Sequence, residues 1–232
     1  MAFLLKLAWQ DLRGSGQSLW VLCACLVLGV TLVAATGGLY RQVQDGLQAD
    51  SRKLSGGDLQ VNARSPLPPE AVQWMQERGQ VSLLVELDTM LGTASGNYQL
   101  VEVQSVDALY PLYGELILEP AQPLADVTQQ QNGRYGIAVD PVLADRLDVA
   151  VGDVVSIGDL ELDVRAVITA QPDRSLTANW RGSPVMISEE ALEATGLILP
   201  GSRVEYEYRV RTDWDPDNWQ SAFFAQHPDS NW

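Results

Sequence analysis

The chain has 232 residues with 15 basic and 30 acidic side chains and a single histidine, a net charge of −15. That length supplies a core for one domain of ordinary size or two small ones. The charge excludes nucleic acid as a partner, because phosphate neutralisation needs Lys and Arg in excess. The mean hydropathy of −0.04 is that of an ordinary soluble protein, but the average hides an uneven distribution.

Residues 1–53 sum to +2, whereas 54–232 hold ten Arg, no Lys and 27 carboxylates, giving −17. Between Arg13 and Arg41 no residue carries a charge, and 19–39 reads LWVLCACLVLGVTLVAATGGL. Twenty-one helical residues at about 1.5 Å each reach about 31 Å, the thickness of a bilayer's hydrocarbon core. Thr31 and Thr36 are the run's only hydroxyls, and each can bond back to a helix carbonyl. A cleaved signal peptide competes, with Val33-Ala34-Ala35 as a small-residue site. Signal h-regions are about 7–15 residues long, however, and this run is longer and begins late. The expectation is a transmembrane helix at 17–40.

Ahead of it, Phe3, Leu4, Leu7, Ala8 and Leu12 recur at helical spacing. This predicts an amphipathic interfacial helix at 1–16, with Trp9 at headgroup depth and Gly14-Ser15-Gly16 as the turn into the span. Small side chains inside the span (Ala24, Cys25, Gly29, Ala35, Gly37, Gly38) would let other helices approach closely. Cys23 and Cys25 are two residues apart on different helix faces, so a relaxed disulfide between them is excluded. An acidic domain without Lys or Cys suits an extracytoplasmic compartment, and a domain of this size is translocated regardless of its charge.

Past the span, 41–55 continues as a stalk helix with Val43, Leu47 and Leu54 as a sparse apolar edge, ended by Gly56-Gly57. Leu59, Val61 and Ala63 alternate as a half-buried strand. Pro69 and Glu70 then start a helix with Val72, Trp74 and Met75 inward, stopped by Gly79. Residues 81–90 and 98–106 form a hairpin across 92–97, so this section reads β-α-β-β. From 110 to 132 the chain is loop-rich.

Asp140-Pro141 leads a short helix through Leu147. Residues 154–157 are a strand, Gly158-Asp159 a two-residue hairpin turn. The return strand places Leu160, Leu162, Val164, Ala166 and Ile168 on one face, and Glu161, Asp163 and Arg165 on the other. Residues 184–187 are a strand, and Ser188 caps a helix closed by Gly196. In 203–211, Val204, Tyr206, Tyr208 and Val210 alternate with charged residues. Residues 216–226 form a helix with Trp219, Ala222 and Phe223 as its apolar side. That last β-α pair wants another strand to finish it.

Catalytic chemistry finds no footing. The lone His227 reads as a surface residue, and without a second His or an extramembrane Cys no transition-metal site can be built. Neither a Gly-rich phosphate loop followed by Lys nor a Gly-x-Ser-x-Gly elbow is present. Glu161 and Asp163 share the exposed face of an amphipathic strand, and the helix macrodipole accounts for Glu189-Glu190 in a first turn. No residue is therefore assigned a catalytic, cofactor-binding or metal role, and an anchored hydrolase is the weakest reading. Tyr110, Tyr113, Trp180, Trp214 and Trp219 lie in or beside loops, where they either pack or contact an amphiphile or a partner.

The order of elements resembles the N-terminal part of MacB-type, FtsX-like ABC transporter permeases. VEVQSVDALYPLYG at 101–114, Ala138-Val139-Asp140, residues 147–153 and Gly201-Ser202-Arg203-Val204-Glu205-Tyr206 look like the YbbP group, relatives of LolC and LolE. The resemblance implies an α+β fold: one N-terminal transmembrane helix, then a mixed α/β periplasmic domain. It divides that domain into a porter-like first half (56–110), an inserted β-rich Sabre-like subdomain (111–200) and an incomplete porter-like second half (201–232). It also implies a location in the bacterial inner membrane with the acidic domain in the periplasm. The implied role is that of a non-enzymatic permease subunit, with ATP and Mg on a separate cytoplasmic ATPase dimer (YbbA-like) and a periplasmic lysophospholipase or esterase (TesA-like) as a further partner. The substrate class is hydrophobic or amphiphilic. Such permeases have several spans and this chain has one, so the expectation is a fragment of a longer permease. The competing reading is a membrane-anchored binding or sensor module that recruits a ligand or enzyme without an ATPase.

Overall fold

The computed structural model describes residues 20, 23–32, 34, 56–173, 182–199 and 201–227. The interfacial helix expected at 1–16 and the stalk expected at 41–55 lie outside the described residues, as does Trp180. Within the expected span, residues 20, 23–32 and 34 are helical. Thr31 Oγ1 donates to the Val27 carbonyl at 2.7 Å, as its place in the apolar run requires. Among the described residues no helix is long and apolar enough to cross a membrane. Cys23 and Cys25 are free thiols.

Residues 51–232 form one compact unit. Its first section follows the sequence closely. Strand β1 (Leu59–Ala63) precedes helix α1 (Pro69–Gln76). Pro69 sits in the first turn, where its missing N–H leaves nothing unsatisfied, and Glu70 lies at the positive end. Ala71, Trp74 and Met75 are buried. The helix ends at Gln76 with Glu77 as a right-handed cap, so Gly79 is not its stop. Arg78 Nη1 instead closes the last turn on the Trp74 carbonyl at 2.9 Å. Strands β2 (Gln80–Thr93) and β3 (Tyr98–Val106) pair as the expected antiparallel hairpin.

The loop-rich expectation for 110–132 is corrected, because that stretch holds β4 (Ile117–Glu119), α2 (Leu124–Thr128) and β5 (Gln130–Gln131). Elements of two to five residues are too short to show a hydrophobic period. Strand β6 (Arg134–Val139) also carries no alternation, since its last four residues are all buried. Helix α3 (Pro141–Leu147) starts where Asp140 accepts from the Val142 amide at 2.9 Å. Strands β7 (Val154–Ile157), β8 (Leu160–Ala170) and β9 (Ser183–Ser188) follow. Ser188 caps α4 (Glu189–Ala194), and Gly196 adopts the left-handed backbone that ends it. Strand β10 (Glu205–Arg211) and helix α5 (Pro216–Gln226) complete the order.

Among the described residues ten strands join in one sheet, in the order β1-β10-β2-β3-β9-β6-β8-β4, with β5 on β6. Strand β7 pairs with β8 and also with the far end of β2. Six strands (β2, β3, β9, β6, β8 and β7) therefore close into a ring, which removes free edges from that part of the sheet. The double duty explains the length of β2: its first half pairs with β10 and its last three residues with β7. Strand β10 lies between β1 and β2, antiparallel to both, which makes β1-α1-β2 a split β-α-β unit. One core cluster joins the ring's Leu91, Val103, Ile157 and Leu162 to buried side chains of α1, α3, α4 and α5. A second, on the opposite face, gathers Leu84, Val106, Tyr110, Leu118, Val127, Ala138, Ala166, Ile168 and Met186.

This two-sided packing corrects the one-face reading of β8. The register with β6 shifts between Ile137 and Ala138, because Val164 pairs with Ile137 and Ala166 with Ala138. Arg165 is the extra residue of a β-bulge, which turns all later side chains over. Leu162 and Val164 accordingly join the first cluster, Ala166 and Ile168 the second. The Arg165 guanidinium donates to the carbonyls of Val127 (3.2 Å), Gln129 (2.7 Å) and Arg134 (3.0 Å), fastening α2 and β5 to the ring. It passes over Gly136, where a Cβ would lie 1.8 Å from the Val127 carbonyl oxygen. Gly136→Ala is expected to lower stability by about 1–3 kcal/mol through overpacking. Urea unfolding of the two proteins side by side checks this.

Candidate functional site

The chemistry-bearing groups gather on the sheet face that carries the second core. Side chains on a strand point to alternate faces. On β2 this face receives Ser82, Leu84, Glu86 and Asp88, on β3 Glu102, Gln104 and Val106, and on β10 Glu205, Glu207 and Arg209. Cross-strand registers set Glu86 opposite both Gln104 and Glu205, and Arg209 opposite Ser82. Two connectors cover the face, one contributing Tyr110 and the other Gln171 and Asp173.

Hydrogen bonds tie these groups into one network. Arg209 Nη1 bonds and ion-pairs with Asp173 Oδ2, and Nη2 with Glu207 Oε2 at 3.0 Å. Tyr110 hydroxyl donates to Asp173 Oδ1 at 2.6 Å. Gln171 Nε2 reaches both the Tyr110 hydroxyl (3.1 Å) and Gln104 Oε1 (3.0 Å), and Gln104 Nε2 donates to Glu86 Oε1 at 3.0 Å. The Arg209 guanidinium also lies 5.8 Å from the Tyr110 ring centre. On the far side Gly56 abuts Arg209, where a Cβ would stand 2.9 Å from Nη1. Asp58 Oδ2, close by in sequence, accepts from the Tyr113 hydroxyl (2.7 Å) and the Thr212 amide (3.0 Å). The two tyrosines of the 110–114 segment thus clasp two different carboxylates.

Burial and charge shift the acids in this network. Desolvation pushes Glu86 up to about 8, with the Glu207 and Glu102 charges adding to it while the Gln104 hydrogen bond and Arg209 oppose. Glu207 is raised too, mainly by desolvation, although Arg209 works against that. Burial alone would lower Arg209, but Asp173 and Glu207 more than reverse it and hold the guanidinium charged. Tyr110 is pushed well up by burial and the adjacent Asp173 charge. The arrangement can hold or release a proton at Glu86 near neutral pH.

The residues weighed from the sequence fall elsewhere or change role. His227 is not a bare surface group, since its ring packs on Phe223 (5.2 Å between centres) and edge-on to Trp74 (6.4 Å). Glu161 and Asp163 lie beside Arg134, at 3.1 and 3.7 Å. Glu189 and Glu190 occupy the first turn of α4. Trp219 is buried and Trp214 is exposed. No group of three metal-ligating side chains occurs among the described residues. Sequence reasoning did not single out Glu86, Glu102, Gln104, Asp173 or Arg209 as a site. The strand residues alternate with apolar ones as on a solvent-facing side, and nothing near them in sequence tells that 107–114 and 171–173 fold back over that face.

Residues 21–220 match the family described as the MacB-like periplasmic core domain. The uncharacterized ABC transporter permease YbbP of Escherichia coli (strain K12) is 28% identical over 202 residues, 87% of this chain and 24% of that protein. The chain therefore spans about a quarter of that relative's length. Among solved structures, the periplasmic region of MacB from Actinobacillus actinomycetemcomitans aligns with a TM-score of 0.47 at 14% identity, covering 71% of this chain and 74% of that one. The extracellular domain of the noncanonic ABC-type transporter YknZ from Gram-positive bacteria aligns at 0.45 and 10% identity, covering 70% and 84%.

Proposed function

Because the chain belongs to the MacB-like periplasmic core domain family, we propose that it is the N-terminal portion of a permease subunit in a MacB-type ABC transporter. It is an ABC transporter permease-like periplasmic domain of mixed α/β structure. In this reading the apolar run at 17–40 spans the inner membrane, and the acidic domain stands in the periplasm. A separate cytoplasmic ATPase dimer, of the YbbA-like kind, binds and hydrolyses ATP. The movement passes through 41–55 into the periplasmic domain, which extracts a hydrophobic or amphiphilic compound or hands it to a partner such as a TesA-like esterase. The porter-like halves at 56–110 and 201–232, with the Sabre-like insertion at 111–200, make up that periplasmic domain.

The observation that carries this reading is the family match, which takes in most of the apolar run as well as the acidic domain. Asp58 supports it, because its bonds to Tyr113, Thr212 and the Val210 carbonyl fix the first described residues past the expected stalk onto the sheet. Topology is the sharpest test. With Cys23 and Cys25 replaced by Ala, a cysteine introduced at the exposed Gln130 is expected to react with a membrane-impermeant thiol reagent in intact spheroplasts. Labelling only after lysis would overturn the periplasmic placement. Co-purification with an ATP-binding subunit separates the permease from a sensor that works without one.

A further inference from the structure

The β5–β6 hairpin carries a reactive pair of residues at its tip. Asn132 is the one asparagine in the chain followed by glycine, the others preceding Ala, Tyr or Trp. Gln131 is paired with Arg134 and Gln130 with Tyr135, so 132 and 133 form a two-residue loop. Asn132 has a φ of 53° and Gly133 one of 86°, and positive φ at both central residues makes this a type I′ turn. Both residues are exposed, and a Cβ at Gly133 would meet nothing within 4 Å. The Gly133 nitrogen is therefore open to the neighbouring carboxamide. Flipping the peptide between them gives a type II′ turn, the other form that suits a two-residue hairpin. Asn132 then keeps a φ of about +60° while its ψ moves to about −120°. At that ψ the Cβ of an L-residue eclipses the next nitrogen, which is the flat arrangement that closure of a succinimide ring needs. The strands do not have to part. The Cβ of Asn132 strains the flipped form and keeps it a minor one.

We propose that Asn132 is a site of spontaneous, one-way modification that unzips β5 from the sheet. The Gly133 nitrogen gives its proton to solvent and attacks Asn132 Cγ. A C–N bond forms and closes the succinimide, the Cγ–Nδ2 bond breaks, and the departing nitrogen takes a proton from solvent and leaves as ammonia. Water then adds to either ring carbonyl and opens the ring, leaving aspartate or isoaspartate at this position. Water is the only co-reactant. In the isoaspartate form the backbone runs through the former side chain and gains a carbon, so the loop no longer keeps Gln131 opposite Arg134. Strand β6 stays in place because β8 and β9 also pair with it, whereas β5 is paired with β6 alone among the described residues. On the other side the Arg165 bonds to the Val127 and Gln129 carbonyls stop the disturbance from reaching α2. The change belongs to the domain itself and proceeds whether or not a transporter surrounds it.

Ageing the full chain in detergent at mildly alkaline pH tests this, with digests mapped by mass spectrometry over time. The expected result is the mass gain of an amide NH2 replaced by OH, located at 132, with isoaspartate exceeding aspartate and the other asparagines intact. Urea added well below the unfolding midpoint should leave the rate within about twofold, because the peptide flip exposes little surface. Hydrogen exchange on the isoaspartate form should show protection at 130–131 lowered about tenfold or more, with β6 and β8 unchanged. Asn132→Gly, which keeps positive φ and has no carboxamide, should age without any of these changes. No isoaspartate at 132 after about a hundredfold the time that converts the urea-unfolded chain overturns the proposal, since that delay is what such backbone strain imposes. A rate that climbs steeply with urea also overturns it, as does an isoaspartate form with β5 still protected. Should Asn132→Gly fail to fold, the mapped position and the urea dependence in the unaltered chain decide.

Discussion

Replacing Arg209 by Met is expected to cost the domain about 3–5 kcal/mol at neutral pH, the usual penalty for removing one partner from a buried ion pair. The Arg209 side chain is 8% exposed and its partner Asp173 1%. Without the guanidinium, two buried carboxylates remain in a setting that solvates them poorly. Coulomb attraction is not what makes the loss large. It is the two carboxylates left behind. The penalty should therefore shrink at low pH, where Glu207, already raised by burial, takes a proton. Arg209→Lys should recover only part of the stability, because an ammonium cannot present two parallel N–H groups to Asp173 and Glu207 at once. Urea unfolding at neutral and acidic pH checks all three expectations. An Arg209→Met protein as stable as the unaltered one would mean that water reaches this face freely.

Trp219→Ala should cost a comparable amount, about 3–5 kcal/mol, for a different reason. Trp219 is 1% exposed. Its ring stacks on Phe223 at 5.2 Å and meets Trp74 of α1 edge-on at 5.3 Å. Trp74 Nε1 also donates to Gln226 at 3.2 Å, so α1 and α5 are joined by aromatic packing and by one polar bond. Truncation empties the space between the two helices that cover β1, β10 and β2. The loss should be insensitive to pH, unlike that at Arg209, since no charge is uncovered. Trp219→Phe should cost much less. Thermal unfolding followed by circular dichroism, with the pH dependence as the discriminating readout, separates the two mechanisms.

What could be read from the residues follows how local each signal is. The helix beginning at Pro69, the Gly158-Asp159 turn, the Ser188 cap and the strand ending at Arg211 are each announced within a few neighbours. The bulge at Arg165 is not, because it exists only in the register between β8 and β6, and alternation carried through it puts Ala166 and Ile168 on the wrong face. The ring is hidden for the same reason. Nothing in 154–157 tells that this short strand pairs with 91–93 as well as with its hairpin partner. The network is the least local feature, since Glu86, Gln104, Tyr110, Asp173 and Arg209 come from five separate segments. A trace of it is visible in 101–114, where Glu102, Gln104, Tyr110 and Tyr113 stand in one of the stretches that resemble the family.

The place of β10 between β1 and β2 bears on how the protein is made. Leu59 is opposite Val210, and Val85 opposite Tyr206, so two strands finished early each need a neighbour that is translated more than a hundred residues later. At about 5–20 residues per second this leaves β1 and the first half of β2 without their common partner for on the order of ten seconds. Over that interval each offers an unpaired strand edge to any other nascent or unfolded chain. Slower expression at lower temperature should therefore raise the yield of folded protein more than a stronger promoter does. Rare codons are best tolerated after residue 211, once the strand that seals both neighbours has been synthesised.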